Sequence, residues 1–403
     1  MISDVRTLAG EIGPRGTGTP GEEAAANHVA GRLSHLGLPV ERQTFPAVAS
    51  QNAFPLAICV LALISVALYP LGGTAGRWIA AVLALTAAPM LWRTIRTSRN
   101  PLRPLLPKVT GHKVVTRIEP RGRLRERAVL LAHLDTNRCR LFWQSSALRS
   151  LEPLTCLTLM VLSLLGLLYL TGALMSYSGD ARFETGWPWL ASLFPAAYVS
   201  GMVVTLLKDD RTEFSRGAHD NAASVAVALE IGRRLAAEPL EGTEVWLAFT
   251  GAEESDHAGL YVLLEQHRSV LRHAAFIGLE GLGSGDLVYL TRQGLCAHYR
   301  PHPDLLAAAS KTAERLPELS VRPAEMVAED ETGTLRRAGY RAICIAGRDP
   351  SSGTLPHWHR ADDTFDTVSA IFMEHAASFV MGLLRELDSI GRSVADGRHV
   401  KPS

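Results

Sequence analysis

The 403-residue sequence predicts an α/β domain, a mixed and mostly parallel central sheet with helices on both faces, interrupted by two transmembrane helical hairpins. Three observations predict it. Apolar runs that end in polar residues, such as RAVLLAHLD and AAFIGLEGLG, read as buried strands and alternate with helical patterns such as DNAASVAVALEIGRRLAAE. Four uncharged stretches, paired two and two, suit the crossing of a bilayer. Charged residues make up only 20% of the chain, below the roughly 25% of ordinary soluble proteins, so charge is missing from particular segments.

In chain order, residues 20–37 read as a helix, with Pro20 and acids at its start and Gly37 as its stop, and PVERQTF follows as a strand. No charge lies between Arg42 and Arg77, where FPLAICVLALISVALYPLGG is about 20 residues, or about 30 Å of helix. The second span, Trp78 to Trp92, is shorter, with Arg77 and Arg93 placed to snorkel. KVVTRIEP and RAVLLAHLD are the next strands. Two further apolar runs, bracketed by Glu152 and Asp180 and by Glu184 and Lys208, form the second hairpin. The helix beginning near Asp220 and the strands EVWLAFTGAEE, AAFIGLEGLG and YRAICIAG complete the pattern. The expected boundaries are polar segments 1–50, 95–150 and 208–403, with hairpins at 51–94 and 151–207. Neither short polar segment can bury a core alone, so the three are expected to assemble into one domain.

The formal charge of +1 provides no basic field, so a nucleic-acid partner is not expected. Five cysteines without CxxC spacing fit a reducing compartment, and the start MISDVRTLAGEIGPRGTGTP has no apolar h-region, so no cleavable signal is expected. The two short turns hold only Arg77 and Arg182, whereas twelve basic residues, Arg93, Arg96, Lys208 and Arg211 among them, flank the spans on the side of the polar body. Basic residues concentrate on the cytoplasmic side of membrane proteins, so the expectation is a multi-pass inner-membrane protein with its polar body in the cytoplasm.

Ligands of open α/β sheets gather at the carboxyl ends of strands, and those ends and the loops nearby offer His133 and Asp135, Asp220, Glu253 and Glu254, Glu280, and His359. Each alone has an ordinary explanation: a satisfied core histidine, a helix cap at Asp220, a solvated acid pair. Together they are harder to explain without cations, because burying so many carboxylates is strongly unfavourable unless one or two divalent ions neutralise them. Imidazole and carboxylate without thiolate suit zinc, cobalt or manganese.

In this order the elements His133-Leu134-Asp135, Asp220-Asn221-Ala222, Glu253-Glu254, Glu280 and His359 with Asp363-Thr364 resemble the M28 metallopeptidases, the co-catalytic zinc aminopeptidase group, and within it bacterial members carrying membrane hairpins. The resemblance implies a peptide substrate and two divalent ions, zinc first, with Asp220 bridging, His133 and Glu280 completing one site, and Glu254 and His359 the other. It makes Glu253 the general base and Asp135 a second catalytic-site acid that orients a ligand. The family usually has Asp where Glu280 stands, which leaves a one-ion enzyme open, and His359 is preferred over His357 because it precedes the Asp-Thr pair by four residues. His219, His257, His273, His298 and His302 read as surface or substrate-loop residues, and Glu331 and Thr332 as pocket or plain loop. The expected function is a membrane-anchored exopeptidase, with a glutaminyl-cyclase-like acyltransferase or a non-catalytic membrane scaffold as alternatives.

Overall fold

The computed structural model describes residues 1–96, 99–140, 143, 150–176, 180, 182–327 and 329–395, and it divides into two compact units. The first comprises residues 1–49, 108–143 and 213–403, and the second residues 50–107 and 144–212.

The first unit is built on eight strands: β1 (Glu41–Val48), β2 (Lys108–Ile118), β3 (Glu126–His133), β4 (Thr243–Thr250), β5 (Ala275–Glu280), β6 (Asp286–Gln293), β7 (Arg322–Met326) and β8 (Arg341–Arg348). They form one sheet in the order β1-β2-β4-β3-β5-β8-β6-β7. The middle four run parallel, while the β1–β2, β2–β4 and β6–β8 pairs are antiparallel. Strands buried on both faces need no polar alternation, and every residue of β4 and β5 is buried. Alternate side chains then serve opposite faces. Ala128, Leu130 and Ala132 of β3 pack with the helices Pro20–His35, Ser224–Ala237 and Ala370–Ala395, while Val129 and Leu131 pack with Leu260, Leu263 and Leu335 of the helices Ala258–Gln266 and Glu331–Arg337.

β6 and β7 were not expected from the sequence. The β7 edge strand is short, polar and half exposed, and Pro323 is tolerated because an edge residue can leave its ladder donor unused. Also unread were the helices Pro303–Arg315 and Ala370–Ala395, whose apolar stripes close one face of the sheet.

The second unit contains four helices long and apolar enough to cross a membrane: Ala53–Leu71, Gly73–Ile95, Leu151–Met175 and Trp187–Asp209. The second is longer than the 15-residue run expected, because Arg77 and Arg93 lie inside the helix. Polar groups of the other three helices turn inward and pair: Tyr69 stacks on Tyr169 at 4.2 Å, the Tyr169 hydroxyl donates to Ser192 at 2.7 Å, and Thr158 meets Tyr198 at 2.8 Å. Large apolar side chains such as Leu164, Leu190 and Phe194 face outward. Residues 95–107, expected in the polar body, group with these helices instead. The Asn100 amide donates to the Met90 carbonyl and the Thr94 hydroxyl, and Arg93 donates to the Arg99 carbonyl, so the segment folds back on the helix it leaves.

Candidate metal centre

Three neighbouring parallel strands deliver the first residues. His133 is the last residue of β3 and pairs with Thr250, the last of β4; Glu253 and Glu254 follow three and four residues later. Leu131 pairs with Gly278, so Glu280, the last residue of β5, stands level with His133. Asp220 arrives on the turn ahead of Ser224–Ala237, and His359 on the loop after β8. Gly217 opens the Asp220 turn in a left-handed conformation (φ 60°), and a Cβ there would clash with Thr136 and the Arg15 guanidinium.

The side chains converge. His133 Nε2 lies 3.0 Å from Asp220 Oδ1 and 3.4 Å from Glu280 Oε2; His359 Nε2 lies 3.3 Å from Asp220 Oδ2 and 3.1 Å from Glu254 Oε1. Asp220 thus faces one imidazole with each oxygen and is shared by two triads able to hold an ion, His133–Asp220–Glu280 and Asp220–Glu254–His359. A third overlapping set is His133–Glu253–Glu254. The longer Glu280 side chain, the point of departure from the family pattern, reaches its triad.

His133, Glu253 and Glu254 are oriented from behind. The His133 Nδ1 lies 3.0 Å from the Asp135 carbonyl, which can only accept, so the proton sits on Nδ1 and Nε2 faces the acids. The fully buried Asp135 carboxylate accepts from the Glu253 and Glu254 N–H groups, both at 3.1 Å, and from the Thr17 hydroxyl at 2.9 Å, so it orients the acid pair through its backbone. The Asn137 amide donates to Glu254 Oε2 at 2.7 Å while its oxygen accepts from Arg140, leaving Glu254 Oε1 toward His359. His359 Nδ1 is buried with no partner among the described residues.

The electrostatics fit a cation. Burial drives the Glu253 carboxyl well above the usual range, with Glu254, Glu280 and Asp135 adding to it, and it pushes Glu280 up to about 8. Burial opposes charge on both imidazoles, yet the surrounding carboxylates hold His133 and His359 above their usual values; the two imidazoles in turn hold Asp220 low against its own burial. Metal-free, the cluster keeps protons where divalent ions would sit, and an N/O donor set without thiolate suits zinc.

Two readings of histidine need correction. His219 is fully buried, with Nδ1 2.9 Å from Asp363 Oδ1; the Asp363 carboxylate also accepts from the His219 N–H at 2.7 Å and the Asp220 N–H at 3.2 Å, so it fixes the backbone of Asp220. His257 is buried against the Thr334 hydroxyl at 3.1 Å, and burial pulls it down to about 3. His357 stays outside both triads, 3.2 Å from Asp362. Arg15, Thr17 and Asn137 had no reading as site residues, and Asp363 was read only as half of the Asp-Thr pair that follows His359. For Arg15 and Thr17 the available signal was the Gly- and Thr-rich stretch before the helix at Pro20, which places buried polar groups beside a turn.

Glu331 is buried at the start of its helix, accepts from the Thr250 hydroxyl at 2.8 Å, and leaves Oε1 without a partner among the described residues. Burial pushes it up to about 8. An unfolded glutamate titrates near 4.3, so between that value and about 8 the folded chain holds a proton the unfolded chain has lost, and stability falls as pH rises, by up to about 1.4 kcal/mol per unit. Glu331→Gln is therefore expected to raise the melting temperature of the metal-free protein more at pH 8 than at pH 5; an equal gain at both would contradict the burial argument.

Residues 205–384 match the peptidase family M28. Among solved structures the chain is similar to a zinc aminopeptidase of Bacillus subtilis (13% identity, covering 96% of this chain and 93% of that one, TM-score 0.55). It is also similar to a glutaminyl cyclase of Bacteroides thetaiotaomicron (16%, 95% and 96%, 0.54) and to an aminopeptidase of Aneurinibacillus sp. strain AM-1 (13%, 95% and 92%, 0.55). These likenesses establish the shared fold. No curated protein matches the chain in sequence.

Proposed function

We propose that this chain, whose residues 205–384 belong to peptidase family M28, is a membrane-anchored, metal-dependent exopeptidase that cleaves small peptides from a free amino terminus. The observation that carries the reading is Asp220, with one oxygen toward His133 and the other toward His359, each imidazole completed by a further acid. His133, Asp220 and Glu280 would hold one zinc ion and Asp220, Glu254 and His359 a second.

When bound, such ions supply Lewis-acid polarisation of the scissile carbonyl and a lowered pKa for water. The chain supplies the rest. Glu253 lies outside the two triads that share Asp220 and is the general base: its carboxylate takes the proton and returns it to the leaving nitrogen. Asp135 keeps the two adjacent acids in their separate tasks by holding both backbone N–H groups. The buried setting excludes bulk water and strengthens each of these interactions.

The four apolar helices support a bilayer partner, and the excess of basic residues on the body side of the spans supports a cytoplasmic catalytic unit in the inner membrane. The test is an assay of the membrane fraction and of the purified full chain on aminoacyl and dipeptide substrates with free or acetylated amino termini. Zinc-dependent cleavage of the free-terminus set, carried by the membrane fraction, is the expected result. Ammonia release from peptides beginning in glutamine, without hydrolysis, would replace this reading with the cyclase, and zinc binding without either reaction would leave the scaffold.

A further inference from the structure

Arg15 is 1% exposed, and among the described residues its guanidinium donates only to backbone carbonyls. Nε reaches Leu134 at 2.9 Å; Nη1 reaches Leu8 at 3.0 Å, Gly13 at 2.9 Å and Arg216 at 2.7 Å; Nη2 reaches Gly217 at 2.8 Å. Its own N–H donates to the Thr136 hydroxyl at 3.0 Å. Among the described residues no carboxylate forms an ion pair with it. Its charge therefore stands against neutral carbonyls, with Asp363, Asp220 and Asp135 the acids that act on it from further away.

The carbonyls it binds are not scattered. Leu134 directly follows the ligand His133, and Gly217 opens the turn that presents Asp220 three residues later. One planar fork thus ties together the two backbone segments that bring His133 Nε2 to 3.0 Å from Asp220 Oδ1. The left-handed glycine at 217 is what lets the carbonyl and guanidinium meet, since a side chain there would clash with Arg15. A lysine could keep the charge, but a single ammonium on a flexible stem cannot hold Leu134 and Gly217 in one plane. The alternative is that Arg15 only stabilises the fold, as any buried, bonded cation does.

We propose that Arg15, in the N-terminal segment, is a positioning residue for the metal centre: by binding the Leu134 and Gly217 carbonyls together it sets the separation of His133 and Asp220 and hence their affinity for a divalent ion. The proposal deepens the functional reading and rests on Asp220 being a metal ligand. Residues that orient metal ligands from behind typically change affinity by about 10- to 100-fold.

The test uses the purified full chain, Arg15→Lys and Arg15→Gln. It reads zinc affinity by competition with a chromophoric chelator, the visible spectrum of the Co²⁺ form, and circular dichroism of the metal-free proteins. Both variants are expected to keep the parent's circular dichroism while binding zinc about 10- to 100-fold more weakly and shifting the Co²⁺ bands, with no rescue by the charge-conserving Arg15→Lys. If Arg15→Gln fails to fold, Arg15→Lys decides alone. Parental affinity and spectrum in Arg15→Lys, or failure of both variants to fold, would overturn the proposal. A parent that binds no zinc removes the metal reading and this inference with it, whereas a parent that binds zinc but cleaves no peptide removes only the peptidase reading and leaves the Arg15 comparison decisive.

Discussion

Glu253→Gln is expected to retain its zinc and lose about 10²- to 10⁴-fold in turnover, the range that positioned acid–base groups contribute. The substitution keeps the side chain's size and its backbone hydrogen bond to Asp135 while removing the only function assigned to it, proton transfer. The Glu253 carboxylate also belongs to a third possible ion set with His133 and Glu254, which makes the outcome informative. If zinc leaves together with activity, Glu253 is a ligand and the base lies elsewhere. Retained zinc with lost turnover separates the adjacent acids into one that holds the ion and one that moves the proton.

Asp220→Asn is expected to have the larger effect. The amide keeps the volume but presents one neutral oxygen where the carboxylate presents two, one toward each imidazole. Both triads lose a shared anionic donor at once, so bound zinc should fall at both positions and kcat/KM by at least about 10⁴-fold, equivalent to about 5.4 kcal/mol of transition-state stabilisation. The expected contrast with Glu253→Gln is in the metal count. Asp220→Asn protein that still holds two ions at parental affinity would remove the bridging role.

What could be read in the sequence and what could not follows from the length scale of each interaction. Strands β3, β4 and β5 were legible because parallel strands covered on both faces are written as unbroken apolar runs, and their polar final residues mark the ends where ligands collect. β7 was not, since an edge strand keeps polar residues and resembles loop, and β6 was not because its apolar run, Leu287 to Leu290, is too short for periodicity to mark it as a strand. The five candidate ligand positions were legible as residue types at strand ends and in nearby loops, and in the structure they lie together in two triads able to hold an ion. The buried state of His219 was hidden because its partner Asp363 lies 144 positions away, and no local pattern encodes that distance. Arg15 was hidden for another reason: its partners are main-chain carbonyls, which every residue carries and which leave no signature in side-chain spacing. The helix Gly73–Ile95 was underestimated because counting uncharged residues stopped at two arginines that the helix includes.

The proposed chemistry requires a pair of divalent ions sharing Asp220. Anomalous diffraction at the zinc absorption edge from crystals of the zinc-loaded full chain tests it most directly. Two peaks are predicted, one among His133, Asp220 and Glu280 and one among Asp220, Glu254 and His359. Absence of any peak within coordination reach of Asp220 would contradict it.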